Sequence, residues 1–111
     1  MRLEAAVAAL EASTDYLLKA AQSNPEDTLA AAQPYLKQFG NVAGGFYLAR
    51  GAIAAALAAN EPGADKAWLE AKIAIAEFYA ETYLVEAAGL TASITAGAGP
   101  LARIDPAALS V

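Results

Sequence analysis

Polar and apolar residues alternate along this chain at the spacing of amphipathic helices. The first apolar seam steps by four and three residues, through Leu3, Val7, Leu10, Thr14, Leu17 and Ala21. This periodicity predicts a helix over about 2–23 that packs at a shallow angle on a neighbour. The seam is already running at Leu3 with no N-capping residue before it. We therefore expect the sequence to begin within a helix of a longer protein.

Prolines organise the next part of the chain. Asn24 and Pro25, followed by two acidic residues, predict the start of a second helix, because these residue types suit an N-cap and a first turn. The residue before a proline is disfavoured in the α conformation. Pro34 therefore predicts a break, which gives one helix over about 25–32 and another over about 34–60.

The helix predicted over 34–60 has two distinctive faces. An aromatic-rich core face is predicted from Tyr35, Phe39, Val42, Phe46, Ile53 and Leu57. Gly40, Gly44 and Gly51 fall within about 40° of one another at 100° per residue. Each glycine in a helix interior costs about 1 kcal/mol relative to alanine. A one-sided glycine stripe predicts that another helix packs very close to it.

The last long helix is predicted over about 65–97. Asp65 follows a proline–glycine breaker and is a suitable N-cap. The apolar arc comprises Trp68, Ile75, Ala76, Phe78, Tyr79 and Tyr83, and it is wide enough to pack on more than one neighbour. Gly89 is expected to kink or split this helix, and Gly97 begins its stop signals.

The amino-acid composition supports a helical fold and indicates how closely its helices can pack. Alanine supplies 32 of the 111 residues, so helix propensity is high and helix axes can approach closely. We predict an all-α fold, an antiparallel up-and-down helical bundle of three to four helices over 1–104, with a tail over 105–111. An antiparallel hairpin would place Arg50 near residue 75, which predicts an ion pair with Glu77 or Glu81.

The sequence excludes several classes of chemistry. There is no Cys and no His, so disulfides, the usual zinc sites and His-based triads are excluded. A net charge of -5 and a pI near 4.5 argue against nucleic acid or an anionic membrane. The longest uncharged run, 87–102, is broken by Gly and Pro and is too short to span a bilayer. We predict a soluble, cytoplasmic protein with no catalytic, cofactor-binding or metal residues; the neighbours Glu77 and Glu81 are read as a solvated strip.

Three stretches have a distinctive order and spacing: Pro34-Tyr-Leu-Lys-Gln-Phe-Gly-Asn-Val-Ala-Gly-Gly-Phe-Tyr-Leu-Ala-Arg, Lys72-Ile-Ala-Ile-Ala-Glu-Phe-Tyr-Ala-Glu-Thr-Tyr-Leu and Ile94-Thr-Ala-Gly-Ala-Gly. Together they resemble the extra C-terminal helical domain in one branch of the acyl-CoA dehydrogenases, which includes long-chain and methylmercaptopropionyl-CoA dehydrogenase types. The resemblance covers about 17–104. It departs at Val85, where the family usually carries Pro, so the kink that Pro would introduce is not required here.

The resemblance implies a role within a larger enzyme. Members of the family are flavoproteins that take an α-proton and a β-hydride from an acyl-CoA, with a carboxylate base and an FAD site in preceding catalytic domains. Nothing here matches those regions, so FAD is implied for the full-length protein and no cofactor for this fragment. The implied role is to pack on the catalytic core or a neighbouring subunit and to border the entrance for CoA. Candidate docking residues are Phe46, Tyr47, Lys72, Tyr79 and Tyr83, each of which also suits an ordinary core or rim position.

Two other functions fit the same sequence. The first is a stand-alone helical interaction module with no enzymatic activity, which forms a homodimer through its glycine or aromatic face. The second is a carrier with a ligand pocket between helices, which close packing of alanines disfavours.

Overall fold

The computed structural model describes residues 2–110, and this part of the chain is helical with no strand. The described residues form three helical segments, each antiparallel to the one before it. Their helical structure confirms the predicted all-α class. The first two are α1 (Arg2–Ser23) and α2 (Pro25–Ala58). The third begins with α3 (Lys66–Tyr79) and continues through a π-helical turn (Ala80–Leu84), α4 (Val85–Gly89) and α5 (Thr91–Ile94). A short α6 (Gly99–Ala102) and a 3-10 turn (Pro106–Leu109) complete the described chain.

Local sequence sets the starts of α2 and α3. The Asp65 carboxylate accepts a hydrogen bond from the backbone N–H of Trp68 at 3.2 Å, as an N-cap should. Asn24 occupies the N-cap position of α2, but its side chain makes no capping hydrogen bond there. The N-terminus of α2 instead relies on Pro25 at the first helical position and on the acidic residues that follow it.

The predicted break at Pro34 is wrong, because Pro34 lies inside α2, which is 34 residues long and continuous. A proline in a helix interior costs about 3 kcal/mol. Packing holds the helix on both sides of it. Ala31 and Gln38 are fully buried, and the Tyr35 hydroxyl lies 2.7 Å from the Thr14 hydroxyl of α1. Packing of α2 against the other helices therefore offsets the local preference for a break.

The third segment is less regular than the single helix predicted over 65–97. The π-helical turn interrupts it directly before Val85, so the helix is irregular here without the family's Pro. Gly89 ends α4, and a turn at Leu90 separates it from α5, which is the split expected at this glycine. The third segment ends with α5 at Ile94, three residues before Gly97, where its end was predicted.

The apolar core is small and is made largely of small residues. Its buried cluster comprises Ala6, Val42, Leu84 and Ala87, and Leu3 and Leu10 of the predicted α1 seam pack partly buried against it. Gly45 allows this close contact, because a Cβ built there would lie 2.5 Å from the nearest Leu84 methyl carbon. Small residues therefore bring α2 and the π-helical turn together.

A buried polar network joins the three helical segments beside this core. The Gln38 amide, which is fully buried, donates to the Ala87 carbonyl at 2.8 Å and to the Thr91 hydroxyl at 3.1 Å. Ser13 donates to the same Thr91 hydroxyl at 3.4 Å, and that hydroxyl donates to the Ala9 carbonyl at 3.4 Å. The network fixes the position of α5 between α1 and α2.

The two ends of the molecule differ in how many helices they contain. α1 packs on the first half of α2 and on the π-helical turn, α4 and α5, whereas α3 packs chiefly on the second half of α2. We call the second half of α2 together with α3, residues 48–79, the arm. Because α1 reaches only to the level of about residue 47, the arm is a two-helix hairpin.

This arrangement gives an elongated molecule. The Cα radius of gyration is 19.4 Å, compared with about 13 Å expected for a compact domain of this length. The accessible surface is 7541 Å², compared with about 5,700 Å² expected for a folded monomer of this mass. The thinnest extent is 15 Å, little more than one helix with its side chains, about 10–12 Å. The chain therefore leaves much of its apolar surface uncovered.

The aromatic core face predicted on α2 is accordingly wrong as a core. Val42 is buried and Tyr35 is half-buried, whereas Phe39, Phe46, Ile53 and Leu57 are exposed. The same holds for much of the arc predicted on the third segment, where Trp68, Ile75, Phe78 and Tyr83 are exposed. These residues lie on apolar faces, but no other element of the described chain covers them.

The glycine stripe is confirmed at only one of its three positions. A Cβ at Gly44 would lie 2.5 Å from the Tyr79 hydroxyl oxygen, whereas Gly40 and Gly51 have open space around them. Gly44→Ala forces the Tyr79 hydroxyl away from the Asn41 carbonyl. Displacing the side chain costs about 1–3 kcal/mol and losing the hydrogen bond about 1 kcal/mol more, which together exceed the helix-propensity gain of about 1 kcal/mol. Gly40→Ala gains the same propensity without a clash. We expect urea unfolding to show Gly40→Ala more stable than wild type and Gly44→Ala less stable. If both variants are stabilised, the close contact with Tyr79 is not present.

Candidate docking surface

The five predicted docking residues lie on α2, on α3 and in the π-helical turn. Phe46 and Tyr47 are exposed on α2, and their rings meet edge to face with centroids 5.3 Å apart. Lys72 is exposed on α3. Tyr79 ends α3 and Tyr83 lies in the π-helical turn, with ring centroids 5.1 Å apart. Four of the five are therefore accessible to a partner.

Tyr79 differs from the other four because it holds two helices together. Its hydroxyl donates to the Asn41 carbonyl at 2.7 Å, and its ring lies against Gly44. Burial raises the pKa of the Tyr79 phenol above its ordinary value of 10.0, and the neighbouring Tyr83 raises this pKa further. This geometry explains Tyr79 as a contact between α2 and α3.

The raised pKa predicts a loss of stability in alkali. The folded chain keeps the Tyr79 proton to higher pH than the unfolded chain does. The resulting stabilisation is complete below about pH 10 and is lost as pH rises through the folded-state pKa. We expect the free energy of unfolding to fall as pH rises from about 10 to the folded-state pKa of Tyr79. In Tyr79→Phe it should fall less steeply over the same range. Urea unfolding across the alkaline range measures both slopes, and equal slopes would contradict this role for Tyr79.

Lys72 belongs to a groove on the arm, between α2 and α3. Its ammonium lies 4.6 Å from the centroid of the Trp68 ring, a cation–π geometry. The groove has a volume of about 320 Å³ and is open to solvent. Its lining is Gly51, Ala54, Ala55, Ala58, Trp68, Leu69 and Lys72. The α2 side of the groove, which we call its floor, is thus made of small residues, and Lys72 is the one charged residue of the lining.

The predicted ion pair of Arg50 is wrong. The Arg50 guanidinium lies 5.8 Å from the centroid of the Phe46 ring, one turn earlier on its own helix. Glu81 pairs instead with Arg2 at 3.2 Å, because α1 extends to the level of the π-helical turn. A second ion pair joins Lys37 to Glu86.

The groove and the exposed apolar residues beside it were not predicted from the sequence. Trp68, Ile75 and Phe78 were assigned to a core arc, as were Ile53 and Leu57. One signal in the sequence was available. Large apolar residues occur on more than one side of α2, including Leu36 and Tyr47 outside the predicted core face. A helix that is apolar on several sides needs more neighbours than a short chain can supply.

Other kinds of site have little support in the described residues. Within 2–110, His, Cys, Asp and Glu side chains form no group of three or more that could hold a metal ion. None of the helices in this range is both long enough and apolar enough to cross a membrane. The exposed apolar faces are the feature that calls for a functional explanation.

The fold and these faces define an all-α module that suits packing against another protein surface. The chain belongs to the family described as acetyl-CoA dehydrogenase C-terminal like, whose model matches residues 1–105. It is 39% identical over 94 residues to a 3-methylmercaptopropionyl-CoA dehydrogenase from Ruegeria pomeroyi, a match that covers 85% of this chain and 16% of that protein. The chain therefore spans about one sixth of this relative. No solved structure matches.

Proposed function

We propose that this chain is the C-terminal accessory domain of an FAD-dependent acyl-CoA dehydrogenase. The full-length enzyme would perform α,β-dehydrogenation of an acyl-CoA, and this domain would pack on the catalytic core or on a neighbouring subunit. Family membership over residues 1–105 and the match to a dehydrogenase over part of its length support this proposal. A cytoplasmic location for the full-length enzyme remains a prediction.

One observation carries the proposed role: no other element of residues 2–110 covers the apolar faces of the arm. The accessible surface exceeds that of a compact monomer of this mass by about 1,800 Å². A standard protein interface buries about 800 Å² on each partner. The surface left uncovered is thus large enough for a stable contact with a catalytic domain or a subunit.

The groove on the arm does not fit a flavin dinucleotide. A pyrophosphate is usually bound by several convergent backbone N–H groups at a helix N-terminus or a glycine-rich turn. The groove on the arm is lined by apolar side chains with a single cation, Lys72. We therefore propose that the flavin and the catalytic base belong to parts of the enzyme outside this chain.

The native form of the protein tests the proposal. An antibody raised against this sequence should detect, in extracts of the source cell, a polypeptide of several hundred residues that co-purifies with flavin absorbance. A native species of 11.3 kDa would overturn the proposal and favour the stand-alone module. Sedimentation of that small species would then show whether it forms a homodimer.

A further inference from the structure

The two sides of the arm have different shapes. At 100° per residue, the large residues Ile53 and Leu57 of the arm, and Phe46 just before it, fall within about 40° of one another on α2. The small residues Gly51, Ala54 and Ala58 are centred about 100° further round the same helix. The first side is a ridge, and the second is the floor of the groove against α3. A partner that covers the ridge must therefore be concave, whereas a partner that fills the groove must protrude.

The groove also carries a charge that the chain does not neutralise. The ion pairs among residues 2–110 are Arg2–Glu81 and Lys37–Glu86, so no carboxylate of this range lies within 4.0 Å of the Lys72 ammonium. Glu70 and Glu77 lie about 140–160° from Lys72 around α3. Lys72 is thus the one charged residue in the lining of the groove, and it is a cation in a chain of net charge -5.

We infer that this groove is the docking point for a segment of the longer polypeptide, one that inserts a large apolar side chain beside a carboxylate. The apolar side chain would cover the small-residue floor, and the carboxylate would pair with Lys72 next to the Trp68 ring. A volume of about 320 Å³ gives room for such a side chain. This inference rests on the proposed function, because it takes the segment from the part of the enzyme outside this chain.

A second copy of the chain fits this groove poorly. A two-fold contact places the same patch of both copies face to face. Centred on the groove, it would oppose two concave floors and bring two Lys72 side chains together. The match to a dehydrogenase covers 16% of that protein, so a polypeptide of that length offers ample further chain as a partner.

Cysteine footprinting of the longer polypeptide tests which side docks. This sequence has no Cys, so one thiol can be introduced at each position and its alkylation read by mass spectrometry of the labelled peptide. Three matched sites are exposed in this chain: Ala54→Cys in the groove, Ile53→Cys on the ridge and Ala74→Cys on another side of α3. The alkylation rate in the native state is divided by the rate in urea.

We expect Ala54→Cys to be protected at least about tenfold more than Ala74→Cys and Ile53→Cys. Protection of Ile53→Cys alone would keep the docking role and overturn the groove as its site. Absence of protection at all three positions would contradict docking of the arm itself, and with it the proposed function. Protection of Ala54→Cys that disappears on about hundredfold dilution would identify a second copy as the occupant and overturn the inference.

The charge requirement is tested by two closely matched cations. Lys72 and Arg50 are both exposed, and each stacks on an aromatic ring four residues earlier on its own helix. We expect Lys72→Glu to speed alkylation of Ala54→Cys in the native polypeptide by about fivefold, and Arg50→Glu to leave that rate unchanged. Equal effects of the two charge reversals on this alkylation rate would show that the docked segment places no carboxylate beside Lys72.

Discussion

Leu84→Ala is expected to lower the free energy of unfolding by about 2–5 kcal/mol, since it removes a large side chain from the small core. Leu84 is 3% exposed and packs with Val42 and Ala87. A chain of this length has a total stability of about 5–15 kcal/mol, so this loss is a large fraction of the total. We expect the thermal midpoint to fall by about 10 °C or more. Leu36→Ala is the matched control, because Leu36 is 73% exposed and should change stability by less than about 0.5 kcal/mol in this chain.

The reason for the large loss lies across the helix contact. Gly45 has no side chain to move into the space that Leu84 leaves. A Cβ at that position would occupy it, since it would lie 2.5 Å from the present position of a Leu84 methyl carbon. Gly45→Ala should therefore destabilise the wild type and stabilise the Leu84→Ala variant. Urea unfolding of the four proteins measures this coupling, and simple additivity of the two changes would show that the residues are not in contact.

Helix existence and helix starts could be predicted because they depend on neighbouring residues. Asp65 caps α3, and Pro25 begins α2, at the positions that their side chains favour. The continuity of α2 could not be predicted in the same way. The preference for a break at Pro34 is local, whereas the packing of Ala31 and Gln38 against other helices is not visible in the adjacent sequence.

The candidate docking residues show a second limit of sequence reasoning. A repeated apolar spacing identifies a face that avoids water, but it does not say what covers that face. Phe46 and Tyr83 follow the helical period and were assigned both to a core and to a docking surface. In the structure the described chain leaves them exposed. Tyr79, from the same pattern, is a contact between helices, because its ring lies against Gly44 on α2.

Ion pairs were harder still to predict. Level positions in a hairpin placed Arg50 near α3 and gave the prediction of Glu77 or Glu81 as a partner. The prediction failed because α1 extends far enough to bring Arg2 to Glu81, and because the Phe46 ring lies close to Arg50. A pair of exposed long side chains gains little energy in one arrangement over another, about 0–1 kcal/mol. Sequence spacing therefore selects such partners weakly.

Gln38→Glu is expected to destabilise the chain by about 3 kcal/mol or more at pH 8, because it places an unpaired charge at a fully buried position. The wild-type amide donates to the Ala87 carbonyl, and a carboxylate would repel that oxygen. A protonated acid can donate to it instead. Burial should therefore raise the pKa of the new acid above its unfolded value of about 4.3. The loss should be small while the acid is protonated and should grow as pH rises above that value.

Urea unfolding at pH 5.5 and pH 8.0 measures this dependence, with Gln33→Glu as the matched control. Gln33 lies on the same helix but is exposed, so the same substitution adds the same charge without burying it. We expect Gln33→Glu to change stability by less than about 0.5 kcal/mol at both pH values. Similar effects of the two variants would mean that the network of Gln38, Ala87 and Thr91 is open to water. Because that network holds α5 between α1 and α2, a pH-dependent loss confined to Gln38→Glu would show that it closes the three-helix end of the molecule.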